Sequence, residues 1–133
     1  MRNRGSSVLI EKNKVALIKR VKENCVYYVF PGGGIEEGET PEEATERETF
    51  EELGVKIKIK EHVCSVDFIG TQYFYLADIV GGTFGTGSGE EFTDLNLDRG
   101  TYQPLWMEIK NLSSLDVRPR EVTEKIQSIF GKL

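Results

Sequence analysis

Residues 33–55 read GGIEEGETPEEATERETFEELGV, and this stretch says more about fold and function than any other part of the chain. It contains nine of the 22 acidic residues and one basic residue, so its formal charge is −8 while the rest of the chain carries +3. Such a dense cluster repels itself unless water or cations neutralise it, and hard cations such as Mg²⁺ prefer oxygen ligands. The stretch is therefore either a solvated acidic surface or a candidate metal site.

The residues at both ends of this stretch predict a helix from about Pro41 to Leu53. Thr40 is a suitable N-cap, Pro41 suits the first helical position, and Glu43 completes a capping box with Thr40. Gly54 suits the left-handed position that ends a helix, and a β-branched run follows it. The acidic residues therefore lie on a helix with defined ends.

Three glutamates share one side of this predicted helix. With 3.6 residues per turn, Glu48, Glu51 and Glu52 fall within an arc of about 100°. That spread suits two or three cations held roughly 3.5–4 Å apart. The alternative is an ordinary solvated acidic helix, which explains the charge but not the spacing.

A second stripe of the helix, formed by Thr45, Thr49 and Leu53, is predicted to face the sheet. Thr49 is a polar residue on this sheet-facing stripe. We therefore expect Thr49→Val to stabilise the domain by about 0.5–1 kcal/mol if the hydroxyl lacks a specific partner.

A glycine run precedes the helix and follows the apolar run Val26 to Phe30. Glycines at positions 32–34 allow the backbone to approach a ligand closely, because no Cβ stands in the way. Arg47 is expected to bridge back to Glu39 and so to fix the loop against the acidic face. A solvated acidic helix alone would not account for the glycine run, the cap and the spacing together.

This combination resembles the signature of the Nudix hydrolases, Gly-x5-Glu-x7-Arg-Glu-U-x-Glu-Glu-x-Gly-U, in which U is a bulky aliphatic residue. Every fixed position of the pattern is matched, by Gly33, Glu39, Arg47, Glu48, Glu51, Glu52 and Gly54. Val55 supplies the final aliphatic residue, whereas Thr49 departs from the pattern at the first. The signature covers 23 of 133 residues.

The resemblance implies an α+β fold, a Nudix-type α/β/α sandwich with a mixed β-sheet between helices. It also implies hydrolysis, dependent on Mg²⁺ or Mn²⁺, of a nucleoside diphosphate linked to a further moiety. The residues it implies for catalysis and metal binding are Arg47, Glu48, Glu51 and Glu52, with the Gly32 carbonyl as a further metal ligand. Those expected to bind substrate are Arg20, Gly33, Gly34 and Glu39, although an exposed strand end explains Arg20 equally well.

The loop from Gly81 to Phe92 is predicted to supply one more carboxylate, from Glu91 or its neighbour Glu90. Five glycines in nine residues make this segment too flexible for a strand and too long for a tight turn. In proteins with this resemblance, the region between the later strands often brings in a metal ligand or general base. The alternative is a solvated surface loop with incidental charges.

The leading functional interpretation is a nucleoside triphosphate pyrophosphatase of the nucleotide-sanitising type. The alternatives are a hydrolase of dinucleoside polyphosphates or nucleotide sugars, and a non-catalytic module that senses a ligand. Gly70 stands where the ADP-ribose group of the family carries proline, and Tyr73 falls where the dinucleoside polyphosphate group often carries tyrosine. Retention of every glutamate of the signature favours an enzyme.

Composition predicts a single domain, residues 1–133, of a cytoplasmic protein. The chain has no apolar run near 18 residues and no secretory leader, so no membrane association is expected. A sequence pI of about 5.0 argues against tight binding to a nucleic acid polymer. Cys25 and Cys64 are expected to be reduced, buried thiols. A homodimer is possible, and the partner expected from the resemblance is a nucleotide or nucleotide derivative.

Alternating apolar residues predict the remaining elements. A terminal helix is expected to start at Pro119, with the apolar stripe Val122, Ile126, Ile129 and Phe130. The predicted strands are 5–10, 15–20, 26–30, 55–59, 63–68, 73–80 and 101–108. The two helices are expected to cover opposite faces of the sheet.

Overall fold

The computed structural model describes residues 2–67, 69–87 and 100–131. Within these ranges the chain forms eight strands, two α-helices and one 3₁₀ helix. The elements in chain order are β1 (Arg4–Glu11), β2 (Lys14–Lys22), β3 (Cys25–Val29), β4 (Gly32–Gly34), α1 (Pro41–Leu53), β5 (Val55–Asp67), β6 (Thr71–Gly82), β7 (Thr101–Glu108), the 3₁₀ helix (Ile109–Ser114), β8 (Val117–Arg118) and α2 (Arg120–Phe130).

The strands form one mixed sheet in the order β5-β6-β1-β2-β3-β8, with β4 paired to β1 and β7 paired to β2. Strand β1 runs parallel to β6 and antiparallel to β2. The β1–β2 pairing is confined to Ile10↔Val15 and Glu11↔Lys14, next to their turn. Further from that turn, β1 pairs with β4 at Arg4, Gly5 and Ser6. The two central strands therefore separate, and an opening between two halves of the sheet results.

Two hydrophobic cores lie on opposite faces of this sheet, because neighbouring residues of a strand point to opposite sides. Val8 belongs to the core that includes Val122 and Ile126 of α2. Leu9 belongs to the core that includes Leu53 of α1. The predicted α+β sandwich, with helices on both faces of a mixed sheet, is confirmed.

Helix α1 has the predicted bounds and caps. The Thr40 hydroxyl accepts a hydrogen bond from the Glu43 N–H at 3.1 Å, and the Glu43 carboxylate accepts one from the Thr40 N–H at 2.9 Å. Gly54 has φ 79° and ψ 13°, and its N–H donates to the Phe50 carbonyl at 2.8 Å. Local side-chain and glycine chemistry thus defines the helix that carries the acidic residues.

Several sequence-based expectations differ from the structure. The predicted strands 55–59 and 63–68 form one strand, β5, which ends at Asp67 and shifts its register with β6 at three places; Phe68 lies outside the described residues. Ile129 is 52% exposed, so it does not belong to the buried stripe of α2. Cys25 is exposed at the start of β3, and only Cys64 is partly buried.

Among the described residues, neither α-helix has the length and apolar character that crossing a bilayer requires.

Candidate active site

A cleft of about 960 Å³ opens where β1 and β4 separate from β2 and β3. Glu48 and Glu52 of α1 line it, together with the three glycines of β4. Four arginines line the same cleft, Arg2, Arg4, Arg20 and Arg118. Acidic and basic groups thus line the same opening, at residues from four separate parts of the chain.

Glu52 is the most enclosed carboxylate of this cleft, at 5% exposure. One of its oxygens, Oε1, accepts a hydrogen bond from the Gly32 N–H at 2.6 Å. This bond joins the C-terminal turn of α1 to the first residue of β4. The helix and the glycine strand therefore hold the Glu52 carboxylate from two sides.

Glu48 lies against Gly33, with 13% of its side chain exposed. A Cβ on Gly33 would overlap the Glu48 carboxylate, whose Oε1 would be 2.7 Å away and its other atoms closer still. Glycine is therefore required at residue 33 for Glu48 to occupy its position. The glycine run, predicted to be a loop, forms a short strand paired with β1.

Arg47 is the centre of the ionic network on α1. It makes two hydrogen bonds to Glu39, from Nε to Oε2 at 2.7 Å and from Nη2 to Oε1 at 2.9 Å. Nη1 donates to Glu48 at 3.0 Å and to Glu51 at 3.4 Å, and Nη2 also donates to the Gly34 carbonyl at 3.1 Å. The expected bridge from Arg47 to Glu39 is present. The guanidinium fixes the loop, β4 and the acidic face relative to one another.

The hydrogen bonds from Arg47 lower the pKa of Glu39 to about 2, with a further contribution from the Glu36 N–H. Reciprocally, the bonds to Glu39 and Glu48 raise the pKa of Arg47 above its ordinary value. Arg47 therefore remains charged, and Glu39 remains ionised down to acidic pH.

The oxygen atoms at this place are of the type that a hard divalent cation prefers as ligands. The carboxylates are not gathered around one point, however. Within residues 2–67, 69–87 and 100–131, no three His, Cys, Asp or Glu side chains lie close enough together to hold a metal ion. Glu48 and Glu52 line the same cleft, whereas the Glu51 side chain is 44% exposed and bonds to Arg47. Carboxylate and backbone carbonyl oxygens at this place are the ligands that Mg²⁺ and Mn²⁺ prefer.

The cleft also contains a group of tyrosines and arginines on β2, β3, β7 and β8. The Arg20 guanidinium lies over the Tyr102 ring, 3.7 Å from its centroid, and the Arg118 guanidinium lies 4.2 Å from the centroid of Tyr27. The Arg20 Nε donates to the Thr101 carbonyl at 3.1 Å. Arg20 is therefore both a cleft residue and part of a stack of flat groups.

The predicted site residues differ in how the structure places them. Those that line the cleft are Arg20, Gly32, Gly33, Gly34, Glu48 and Glu52. Arg47 and Glu39 do not line the cleft and form an ion pair with each other, and Glu51 contacts Arg47. Glu90 and Glu91 lie outside the described residues. Their predicted role stays a prediction.

Four further cleft residues carry no recognisable signal in the sequence, Arg4, Tyr27, Tyr102 and Arg118. Tyr27 and Tyr102 both pair with Arg20 across neighbouring strands, although they are 75 residues apart in the chain. Only the strand register brings such residues together, and a single sequence does not specify that register.

A family model described as the NUDIX domain matches residues 1–126. An RNA pyrophosphohydrolase of Actinobacillus succinogenes is 46% identical over 56 residues, covering 42% of this chain and 27% of that protein. An ADP-ribose pyrophosphatase of Methanocaldococcus jannaschii is 38% identical over 109 residues, covering 66% of this chain and 59% of that protein. The chain spans less than two thirds of the length of either curated relative.

Solved structures share the fold at low sequence identity. A NUDIX hydrolase from Nitrosomonas europaea superimposes with a TM-score of 0.74 at 18% identity, covering 98% of this chain and 88% of that chain. A MutT NUDIX hydrolase from Burkholderia pseudomallei gives a TM-score of 0.68 at 22% identity, covering 94% of this chain and 97% of that chain. At these identities the similarity establishes the architecture alone.

Proposed function

Because the chain belongs to the Nudix family, we propose that it hydrolyses the pyrophosphate bond of a nucleoside diphosphate derivative with the help of Mg²⁺ or Mn²⁺. The observation that carries this proposal is a cleft lined by Glu48 and Glu52 and also by arginines, in which the lack of a Cβ at Gly33 leaves room for the Glu48 carboxylate. A pyrophosphate link needs cationic groups along its oxygens and oxygen ligands for the metal beside it. The cleft supplies both.

Glu48, Glu51 and Glu52 would hold the divalent cation, with the Gly32 carbonyl as a further ligand. When bound, the metal lowers the pKa of water and neutralises the charge that develops on the phosphate oxygens. Arg47 orients Glu48 and Glu51 through its hydrogen bonds at 3.0 and 3.4 Å. The Gly32 N–H holds the Glu52 carboxylate in place at 2.6 Å.

The arginines of the cleft suit a substrate with several phosphate charges. Arg2 and Arg4 lie on the side of β4, and a guanidinium makes two parallel hydrogen bonds to a phosphate group. Gly33 and Gly34 permit close approach of substrate to the backbone, and Glu39 acts indirectly by fixing Arg47. We assign the removal of the water proton to Glu90 or Glu91, or to a glutamate of α1 if that loop is only a connection.

The preferred substrate class is a nucleoside triphosphate, from which a pyrophosphatase releases a monophosphate and pyrophosphate. The relatives with printed activities, an RNA pyrophosphohydrolase and an ADP-ribose pyrophosphatase, share with this proposal only the cleavage of a pyrophosphate link. Dinucleoside polyphosphates and nucleotide sugars contain the same link and are the alternative substrates. A non-catalytic, ligand-sensing module is the remaining alternative.

A substrate panel tests this proposal. The chain is incubated with nucleoside triphosphates, ADP-ribose, a nucleotide sugar and a dinucleoside polyphosphate, with Mg²⁺, with Mn²⁺ and with a chelator. We expect metal-dependent release of nucleoside monophosphate and pyrophosphate from the triphosphates. If another compound of the panel is cleaved preferentially, that compound's class replaces the nucleoside triphosphates as the proposed substrate. Binding without cleavage under every metal condition would establish the ligand-sensing alternative.

A further inference from the structure

A short loop packs against the C-terminal end of α1, the end that carries two of the proposed metal-binding carboxylates. It consists of residues 83–87, directly after β6, and we call it the covering loop. The Gly85 N–H donates to the Leu53 carbonyl at 2.9 Å, and the Thr86 N–H donates to the same oxygen at 3.3 Å. The last carbonyls of a helix have no partners within the helix, so the covering loop supplies the donors that this helix end lacks.

Gly87, the last residue of the covering loop, lies directly against the backbone of Glu52. A Cβ at residue 87 would overlap the Glu52 carbonyl group, and the Glu51 carbonyl oxygen would be 2.7 Å from it. These are backbone atoms of a helix, so they cannot turn aside as a flexible side chain does. On the other side, the Gly32 N–H holds the Glu52 carboxylate at 2.6 Å. Glu52 is thus held at its carboxylate by β4 and contacted at its backbone by the covering loop.

Phe84 anchors the covering loop to the sheet. Its ring stacks on the ring of Trp106 in β7, with the centroids 5.0 Å apart and the planes at 29° to each other. Both side chains pack against the hydrophobic core that includes Leu53 of α1. A stacked aromatic pair favours one relative position of its two rings. The stack therefore determines where the covering loop meets α1.

We propose that Phe84 is a positioning residue for the divalent cation, because it holds the covering loop against the turn of α1 that carries Glu51 and Glu52. Neither Phe84 nor Trp106 lines the cleft, so the stack acts through the helix and does not touch the substrate. Removing a contact that orients metal-binding carboxylates from outside commonly changes metal affinity by about 10–100-fold. Without the Phe84 ring, the covering loop leaves the helix end and the carboxylates lose their fixed position. This inference rests on the proposed metal-assisted function.

Cation binding in the absence of nucleotide tests this role. The whole chain is titrated with Mn²⁺, and free Mn²⁺ is measured from its electron paramagnetic resonance signal. We expect Phe84→Ala to weaken Mn²⁺ binding by about tenfold or more, and Phe84→Tyr, which keeps the ring, to bind Mn²⁺ like the wild type. Gly87→Ala should also weaken Mn²⁺ binding, because its methyl group displaces the covering loop from the Glu52 carbonyl without removing any core side chain.

Two control variants separate positioning from a general loss of stability. Ile126→Val removes a methyl group from the core on the opposite face of the sheet, so it should lower Tm and leave the Mn²⁺ dissociation constant unchanged. Gly81→Ala adds a methyl group that meets only Lys56, at 3.7 Å, and should also leave the dissociation constant unchanged. Phe84 is half-buried, so Phe84→Ala should keep the circular dichroism spectrum of the wild type.

Four results would overturn the inference. They are an unchanged Mn²⁺ dissociation constant in Phe84→Ala or in Gly87→Ala, an equal weakening by Ile126→Val, a Phe84→Tyr variant as weak as Phe84→Ala, or no Mn²⁺ binding by the wild type. If Mn²⁺ binding depends on Phe84 but no nucleotide is hydrolysed, the proposed reaction fails and the positioning role stands. If the wild type hydrolyses nucleotides and Phe84→Ala binds Mn²⁺ equally well, the positioning role fails and the proposed reaction stands.

Discussion

The hydroxyl of Thr49 lies between α1 and β1, fully buried, and forms a hydrogen bond at 2.9 Å to the equally buried hydroxyl of Ser7. Thr49→Val would leave the Ser7 hydroxyl without this partner. We therefore expect this variant to lower the free energy of unfolding by about 1–3 kcal/mol, measured by urea denaturation. The gain expected from the aliphatic pattern does not apply, because the hydroxyl has a specific buried partner.

Ser7→Ala provides the matched control for this hydrogen bond. With both hydroxyls removed, Ser7→Ala/Thr49→Val should be more stable than the sum of the two single effects predicts, because no polar group is left unsatisfied. A Thr49→Val protein that is more stable than the wild type would contradict the assigned bond.

Glu39 makes the acid stability of the fold depend on Arg47. Its pKa is about 2 in the folded protein against an ordinary value of 4.5, so the unfolded chain binds the proton more readily. The stabilisation from this group is complete above pH 4.5 and is lost as the pH falls towards 2. Glu39→Gln should therefore lower Tm at neutral pH and flatten its decline between those pH values.

Glu37→Gln is the control for that experiment, since Glu37 is exposed in the same loop. Tm is measured for the wild type, Glu39→Gln and Glu37→Gln from pH 7 down to pH 2.5, and the slope of Tm against pH is compared among the three proteins. An equal slope for Glu39→Gln and the wild type would show that the ion pair with Arg47 does not act in solution.

At the scale of elements, strand β4 determines where Glu48 of α1 lies. Gly33→Ala would place a methyl group within the Glu48 carboxylate, so the carboxylate must move. We expect kcat/KM to fall by about 100-fold at an unchanged circular dichroism spectrum, because displacements near 1 Å cost this much in a catalytic site.

The matched control for β4 is Gly81→Ala, in β6. A Cβ at Gly81 meets only the Lys56 side chain, at the ordinary contact distance of 3.7 Å. This variant should keep the wild-type kcat/KM. If Gly33→Ala also keeps it, the position of Glu48 does not matter for turnover.

The elements differ in how well the sequence predicts them. Helix α1 was predicted to the residue because Thr40, Glu43 and Gly54 act within the helix itself. Strand β4 was not, since three glycines have no strand propensity and their pairing with β1 comes from distant contacts. The continuity of β5 was missed for the same reason, because its register shifts depend on pairing with the partner strand β6.

The candidate site shows the same division between local and distant information. The order of the acidic residues on α1 follows from helix geometry, and the Arg47–Glu39 bridge was expected from the motif. The pairing of Tyr27 and Tyr102 with Arg20 follows from strand register. Sequence therefore indicated the carboxylates of the cleft, and the structure was needed for the tyrosines that lie beside Arg20.

For the molecule as a whole, the cleft is a consequence of the way β1 and β2 separate. Their pairing is limited to two residue pairs, and β4 occupies the edge of β1 that β2 leaves. The two cores continue on either side of the sheet, one under each helix. The opening is thus built into the fold, and α1 presents its carboxylates to it.

The central claim is that this cleft hydrolyses a pyrophosphate bond by means of the carboxylates of α1, and Glu52→Gln tests it most directly. Glutamine keeps an oxygen that can accept the Gly32 N–H bond, which is 2.6 Å long in the wild type, and loses only the charge. Glu46→Gln, at an exposed position of the same helix, is the matched control.

The measurement is the steady-state hydrolysis of nucleoside triphosphate as a function of Mg²⁺ concentration for the three proteins. We expect Glu52→Gln to fold with an unchanged or higher Tm without metal, and to lose about 10²–10⁴-fold in kcat at saturating Mg²⁺. Glu46→Gln should match the wild type. Near-wild-type turnover of Glu52→Gln at saturating Mg²⁺ would contradict the account.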